Sequence, residues 1–315
     1  MKRLLSWVEK YWWVTALGAG LVTCVGALLL SIGASVWFDE GYSIFIAKQP
    51  VETLLAHTAV DAHPPLYYLL LKWWGGLFEF NELALRALSA LFAGAATSLG
   101  LMLTKRLFGL RAALMSLPVL LLAPFVLRYG FEIRMYSLTA LIGVGATYAL
   151  VLARQTKQKL WWAVYAALVA IGMYTLYVVV TLWVAHLVWL AWSSMKDRVP
   201  VRKWKWIWAY VGAVALFIPY MPTFFGHLMH SVLSKVGTEV TLTKLVDVVT
   251  IFLTYKPESS TGGWVSLALL ALLVGLAGLF VAVFRRAKGE QRRHLMLYVF
   301  MASIPLLFFA LMSLP

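Results

Sequence analysis

Residues 160–195, L-W-W-A-V-Y-A-A-L-V-A-I-G-M-Y-T-L-Y-V-V-V-T-L-W-V-A-H-L-V-W-L-A-W-S-S-M, contain no Asp, Glu, Lys or Arg. As one α-helix this stretch would run about 54 Å, against a hydrocarbon core of about 30 Å. Two short crossings meeting near Tyr174–Tyr177 fit that length better. Outward from here the pattern repeats, with apolar runs at 11–35, 83–104, 110–127, 132–153, 205–224, 264–284 and 295–315. Only a lipid solvent tolerates so many uninterrupted runs, and it demands helices, because every backbone polar group must be satisfied internally. The expectation is an all-α polytopic membrane protein with about nine transmembrane helices. Composition agrees: of 315 residues 62% are apolar and 13% charged, where soluble domains carry about 25% charged residues. Mean hydropathy is +0.83. A disulfide scaffold is excluded, since the single Cys24 lies inside an apolar run.

The formal charge of +14 is first a topology signal. Lys2, Arg3 and Lys10 precede the run 11–35, which is too long for a signal peptide and reads as a first span with a cytoplasmic N-terminus. Segment 64–80 could cross the membrane or lie along its outer face. If it lies flat, segments 1–11, 105–111, 154–159, 196–205 and 285–294 share the cytoplasmic side and hold 19 Lys and Arg but 3 acids. If it crosses, the densest basic clusters face outward, against the positive-inside bias. The flat placement puts Asp39, Glu40, Asp61 and Glu132 on the external face.

Three clusters there carry possible chemistry. The first is W-F-D-E-G-Y-S, 37–43, where Asp39 and Glu40 meet the membrane boundary. Adjacent carboxylates at such a boundary pair, bind a cation or exchange protons, and an ionised Asp can accept a hydroxyl proton. The plain alternative is that Asp39 caps the following helix. The second is D-A-H-P-P-L-Y-Y, 61–68, in which His63 can ligate a metal or donate to phosphate, or is incidental to a Pro-Pro helix start. The third is R-Y-G-F-E-I-R-M-Y, 128–136. If helical, it sets Arg128, Glu132 and Tyr136 near one face, with Arg134 projecting elsewhere. An Arg–Glu pair locking a helix end is the plain alternative.

Between the first two clusters, Pro50 is expected to start a helix with Val51, Leu54 and Leu55 on one face. The Leu, Tyr and Trp of 64–80 are expected at headgroup level with Lys72 snorkelling. A second external segment spans roughly 226–262, where His227 and His230 are a conceivable metal pair but read better as a helix face. His186 reads as a satisfied core residue. The cluster 196–205 with Trp204, Trp206 and Trp208 suits anionic lipid rather than nucleic acid. No phosphate-binding Gly loop, G-x-S-x-G elbow or zinc-protease helix is present.

Taken in order, these clusters resemble the GT-C fold membrane glycosyltransferases, in the group of protein O-mannosyltransferases and aminoarabinose transferases. The resemblance runs from Trp37 to about Pro222 through F-D-E-G-Y-S, D-A-H-P-P-L-Y-Y-L-L-L, N-E-L-A-L-R-A-L-S-A-L-F-A-G at 81–94 and F-E-I-R-M-Y-S-L-T-A-L at 131–141. It continues through M-Y-T-L-Y at 173–177 and F-I-P-Y-M-P at 217–222. It implies a catalytic module over 1–225, with an external loop at 36–82, followed by an external segment and C-terminal helices over 226–315. It also implies a polyprenyl-phosphate sugar donor. By that resemblance Asp39 would be the base, Glu40 would orient acceptor or cation, and Glu132 would be the second acidic group. His63, Arg86 and Arg134 would contact the donor phosphate, with Lys72 a further candidate. A divalent ion (Mg or Mn) held by Asp39, Glu132 and His63 is the candidate cofactor. Two departures stand out: Leu176 replaces a basic residue common in relatives, and relatives continue beyond the position of Pro315, which suggests a short form or a missing C-terminal part.

The expected function is inverting transfer of a sugar to a hydroxyl on a protein, glycan or lipid, at the external face of a prokaryotic plasma membrane. Membrane lipids are expected partners and nucleic acid is not. The competing reading is a non-catalytic lipid-phosphate-binding or transport protein. That reading predicts ionisable groups at mid-bilayer and internal repeats, neither of which the sequence displays.

Overall fold

The computed structural model describes residues 2–61, 63–229 and 263–312. His230 and most of the expected segment 226–262 therefore lie outside the described residues. The helices are α1 (Lys2–Lys10), α2 (Trp12–Ser31), α3 (Phe38–Lys48), α4 (Val51–Val60), α5 (Leu66–Leu77), α6 (Glu82–Phe108), α7 (Leu110–Leu122) and α8 (Pro124–Phe131). They continue as α9 (Tyr136–Thr156), α10 (Lys159–Met173), α11 (Val180–Lys196), α12 (Trp206–Phe217), α13 (Met221–Met229), α14 (Gly263–Arg286) and α15 (Gly289–Met312).

Among the described residues, six segments are long and apolar enough to cross a membrane: Trp12–Ser31, Glu82–Phe108, Tyr136–Thr156, Tyr177–Lys196, Trp206–Met229 and Gly289–Phe309. Leu110–Leu122 and Lys159–Met173 are apolar but shorter. Among the described residues six segments thus meet the length requirement on their own, and the expected count of about nine is not shown. The charge-free stretch does divide as its length requires. Helix α10 ends at Met173, Tyr174 N–H still bonds back to Ala170 O, and α11 begins at Val180.

Two apolar runs break where sequence periodicity does not show it. The run 110–127 stops at Ala123, whose extended ψ of 112° is what a following proline enforces; Pro124 then opens α8. The run 132–153 becomes helical only at Tyr136, because Glu132 is extended at ψ 133°. The expected continuous helix through Arg128, Glu132 and Tyr136 is therefore two helices with a bend between them.

The bundle is tightest where α2 crosses α6. A Cβ on Gly20 would overlap the Gly94 carbonyl, and one on Gly94 would meet the Gly20 carbonyl oxygen at 2.5 Å. Only backbone-to-backbone contact of small residues permits that approach. It fixes the direction in which α2 leaves the bundle relative to Arg86, two turns along α6.

All five basic segments gather at one end. Lys105 Nζ donates to Glu9 O at 2.8 Å, and Arg106 Nε to Gln155 Oε1 at 2.6 Å. Asp197 receives Arg154 and Arg293, and His294 Nδ1 meets Leu107 O at 3.1 Å. The segments 1–11, 105–111, 154–159, 196–205 and 285–294 are thus joined side by side. The connection from α2 to α6 lies at the other end. Its helices α3, α4 and α5 have 11, 10 and 12 residues. At about 18 Å, α5 is too short to cross.

Packing of that connection departs from expectation in detail. Of Val51, Leu54 and Leu55, only Leu54 is buried. Tyr67 and Tyr68, expected at headgroup level, are buried with Leu71 and Leu85 in the main apolar core, while Trp73 stays exposed. His186 is the expected satisfied core residue, held between the Thr147 and Tyr165 hydroxyls at 3.1 and 3.2 Å.

Candidate active site

The N-terminus of α3 turns two consecutive carboxylates in different directions, since neighbours on a helix are about 100° apart. Glu40 points inward and is fully buried. Its Oε1 accepts the Ile133 N–H at 2.9 Å and its Oε2 the Trp37 N–H at 3.3 Å, with Arg86 Nη2 at 3.5 Å. Capping of α3 therefore falls to Glu40 and not to Asp39. Arg86 in turn binds Glu82 at 2.9 Å and Ala34 O at 3.1 Å. This buried tier ties together the exit of α2, the start of α3, α6 and the bend at 132–135. Arg86, expected on the donor phosphate, spends its charge on two carboxylates and a carbonyl.

Asp39 points outward, with 34% of its side chain exposed. Arg134 Nη2 lies 3.6 Å from its Oδ2. The same guanidinium reaches Ser43 Oγ at 3.4 Å and His63 Nε2 at 3.3 Å. Asp61 Oδ2 sits 3.2 Å from His63 Nδ1, which fixes the proton on Nδ1 and leaves Nε2 as the acceptor facing Arg134. The outer tier thus runs Asp61, His63, Arg134, Asp39 with three of its members partly exposed. Burial and Asp61 beside it push the Tyr42 hydroxyl pKa up.

Glu132 occupies the bend itself. Its Oε1 is 3.3 Å from Arg128 Nη2, the helix-end pair that the spacing allows. Its Oε2 is buried with no protein partner among the described residues. Burial raises its pKa from 4.5 to about 7, the Arg128 charge opposing and the Glu40 charge adding to the shift. Arg134 Nε and Arg86 Nη1 are likewise buried, with no partner among the described residues. Buried polar atoms without partners are uncommon, and three of them lie in this cluster.

Beside this cluster opens a groove of about 680 Å³ between the exit of α2 and α8, lined by Leu30, Trp37, Leu127, Arg128 and Phe131 among others. Its wall is mostly apolar, and among the described residues its one cation is Arg128. Arg128 thus pairs with Glu132, as the sequence spacing allows, and also stands on the groove wall.

Three other sets of candidate residues have partners of their own. Lys72 donates to Gln49 O at 2.7 Å, at the opposite end of α3 from Asp39, about 15 Å away along the helix. Asp39, Glu132 and His63 do not converge as metal ligands: each faces Arg134, Arg128 or Asp61, and among the described residues no three His, Cys, Asp or Glu side chains could hold an ion. His227 is engaged by Tyr177 Oη at 2.9 Å and Ala59 O at 2.8 Å, as part of a structural contact.

The fold is multi-spanning and α-helical, with acids and arginines paired at one end of the bundle beside a mostly apolar groove. A family model described as dolichyl-phosphate-mannose-protein mannosyltransferase matches residues 62–223. The chain belongs to that family, which makes it a GT-C type membrane glycosyltransferase using a dolichyl- or polyprenyl-phosphate sugar donor. The matched stretch contains His63, Arg86, Arg128, Glu132 and Arg134, whereas Asp39 and Glu40 precede it and join it through Arg134, Arg86 and Ile133. No curated protein and no solved structure matches the chain.

Proposed function

We propose that the protein moves a sugar, with inversion, from a polyprenyl-phosphate donor to an acceptor hydroxyl at the external membrane face. The observation that carries the reading is Asp39: a partly exposed carboxylate, held by Arg134, two residues along the chain from Trp37 on the wall of a mostly apolar groove. Asp39 takes the proton of the acceptor hydroxyl as that oxygen bonds to the anomeric carbon. The bond from that carbon to the phosphate oxygen breaks on the opposite side, and the polyprenyl phosphate leaves with the electron pair.

Charge on the departing phosphate is met by cations already in place, which costs no reorganisation during the step. Arg134 and Arg128 are the groups that serve, Arg128 from inside the groove where the lipid enters, while His63 Nε2 accepts from Arg134 and holds it in place. The unpaired Glu132 Oε2 accepts a hydroxyl of the sugar or acceptor. Glu40 acts through position alone, holding the bend that aims Arg128 and Arg134. The basic end of the bundle faces the cytoplasm by the positive-inside bias, which sets Asp39 outside.

The test is transfer from a purified lipid-linked sugar donor by the full chain in liposomes, with product stereochemistry read by NMR. Inverted product that disappears with Asp39→Asn supports the proposal. Retained configuration, or transfer untouched by that substitution, ends it.

A further inference from the structure

At the basic end, far from Asp39, α10 and α12 lie side by side with their N-termini together, Tyr165 and Tyr210 hydroxyls bonding between them at 2.8 Å. The residues facing across are small: Ala163 and Ala166 on α10, Ala209, Gly212 and Ala215 on α12. Small residues usually let helices close completely. Here they do not: a Cβ on Gly212 would find only the Ala166 methyl, at 3.8 Å, and a groove of about 900 Å³ remains. Trp162 and Trp208 flank it, Trp208 with most of its ring exposed. Such aromatics settle at the membrane interface.

Lys157, Lys159 and Lys205 stand at the mouth. Asp197, the acid nearest Lys205 in the chain, is already engaged by Arg154 and Arg293, and no carboxylate forms an ion pair with these lysines among the described residues. The N-caps of both helices, Gln158 and Lys205, make no side-chain capping bond. Two helix starts and three lysines therefore present unanswered positive charge at the end of an apolar slot. A second pocket of about 310 Å³ shares Lys157, Trp162 and Lys205 with the groove and adds Arg154, Lys203 and Asp197, the last held by Arg154 and Arg293.

We propose that this groove is a binding site for an anionic glycerophospholipid, one acyl chain lying against the small residues and the phosphate held by Lys157, Lys159 and Lys205. The match of an apolar slot to a concentrated cationic mouth selects a lipid with a negative headgroup over a neutral one or a protein helix. The site is separate from the transfer reaction, and its test does not use catalysis.

The full chain in detergent is titrated with dioleoyl phosphatidylglycerol and with dioleoyl phosphatidylcholine, and bound lipid is counted by native mass spectrometry. Phosphatidylglycerol should bind preferentially. A K157Q/K159Q/K205Q variant should weaken it about tenfold or more while leaving phosphatidylcholine unchanged. Ala163→Phe, at an exposed groove position, should weaken both lipids. A K10Q/K288Q control, removing charge elsewhere on the same end, should leave the preference intact. Equal binding of the two lipids by the unaltered protein overturns the proposal. So does a preference that survives the triple substitution, or an Ala163→Phe variant that binds as before. Unchanged melting temperatures exclude misfolding as the cause.

Discussion

Arg134 Nη2 lies 3.6 Å from Asp39 Oδ2, joining the start of α3 to the bend before α9. The same bend is pinned one residue earlier by Ile133 N–H on Glu40. Consecutive acids of one helix turn thus grip consecutive residues of another segment, one in the interior and one at the mouth.

That pairing separates catalysis from stability. Asp39→Asn should lower turnover by about 10²–10⁴ and leave donor binding and melting temperature near those of the unaltered protein. Donor binding is read by tryptophan fluorescence. An equal loss of both would assign Asp39 a structural role.

Replacing Arg86 by Met should behave in the opposite way. The Glu40–Arg86 pair is 1% exposed on both sides, and removing one partner strands a buried charge at a cost of about 3–5 kcal/mol. The expected result is early thermal unfolding and rapid trypsin cleavage. Changing Glu40 and Arg86 together to Gln and Met should recover part of that loss, and the comparison is made on the same melting curves.

Glu132 links the site to pH. Its folded pKa of about 7 exceeds the ordinary 4.5, so the folded protein binds this proton more tightly than the unfolded chain. The stabilisation is complete below about pH 4.5 and is lost as pH rises through about 7. Relative to Glu132→Gln, the unaltered protein should therefore lose melting temperature across that window. Parallel pH curves for the two proteins would contradict the raised pKa.

Gly94→Ala addresses the α2–α6 crossing. Its methyl would press on the Gly20 carbonyl, which cannot move aside as a side-chain tip can. Overpacking costs about 1–3 kcal/mol, and the expected displacement of α2 should also cut turnover. Gly212→Ala, which meets only an ordinary 3.8 Å contact, is the benign control.

Orientation is checked by cysteine labelling in a Cys24→Ser background. Lys157→Cys should react with a membrane-impermeant maleimide only after the cells are opened, and Glu52→Cys in intact cells. The reverse pattern would place Asp39 in the cytoplasm.

The gross architecture was legible because lipid imposes it: the charge-free 160–195 had to fold back, and the five basic segments do meet at one end. The site was legible in its membership more than in its roles. Asp39 and His63 both meet Arg134, with Glu132 two residues away on Arg128, but no local pattern shows that Arg86 is wholly buried or that Lys72 reaches Gln49. Periodicity also favoured a helix through Glu132. The chain bends there because a distant buried carboxylate accepts the Ile133 amide, and a contact so remote in sequence leaves no local signature.

The adjacency of Glu40 and Asp39 has a consequence for judging relatives of this protein. A descendant that abandoned sugar transfer would be free to drift at the outer acid, yet would still need the inner one to hold its shape. With Asp39 as the proposed base, an acid retained at the inner position would then testify to ancestry, and only the outer one to a living enzyme.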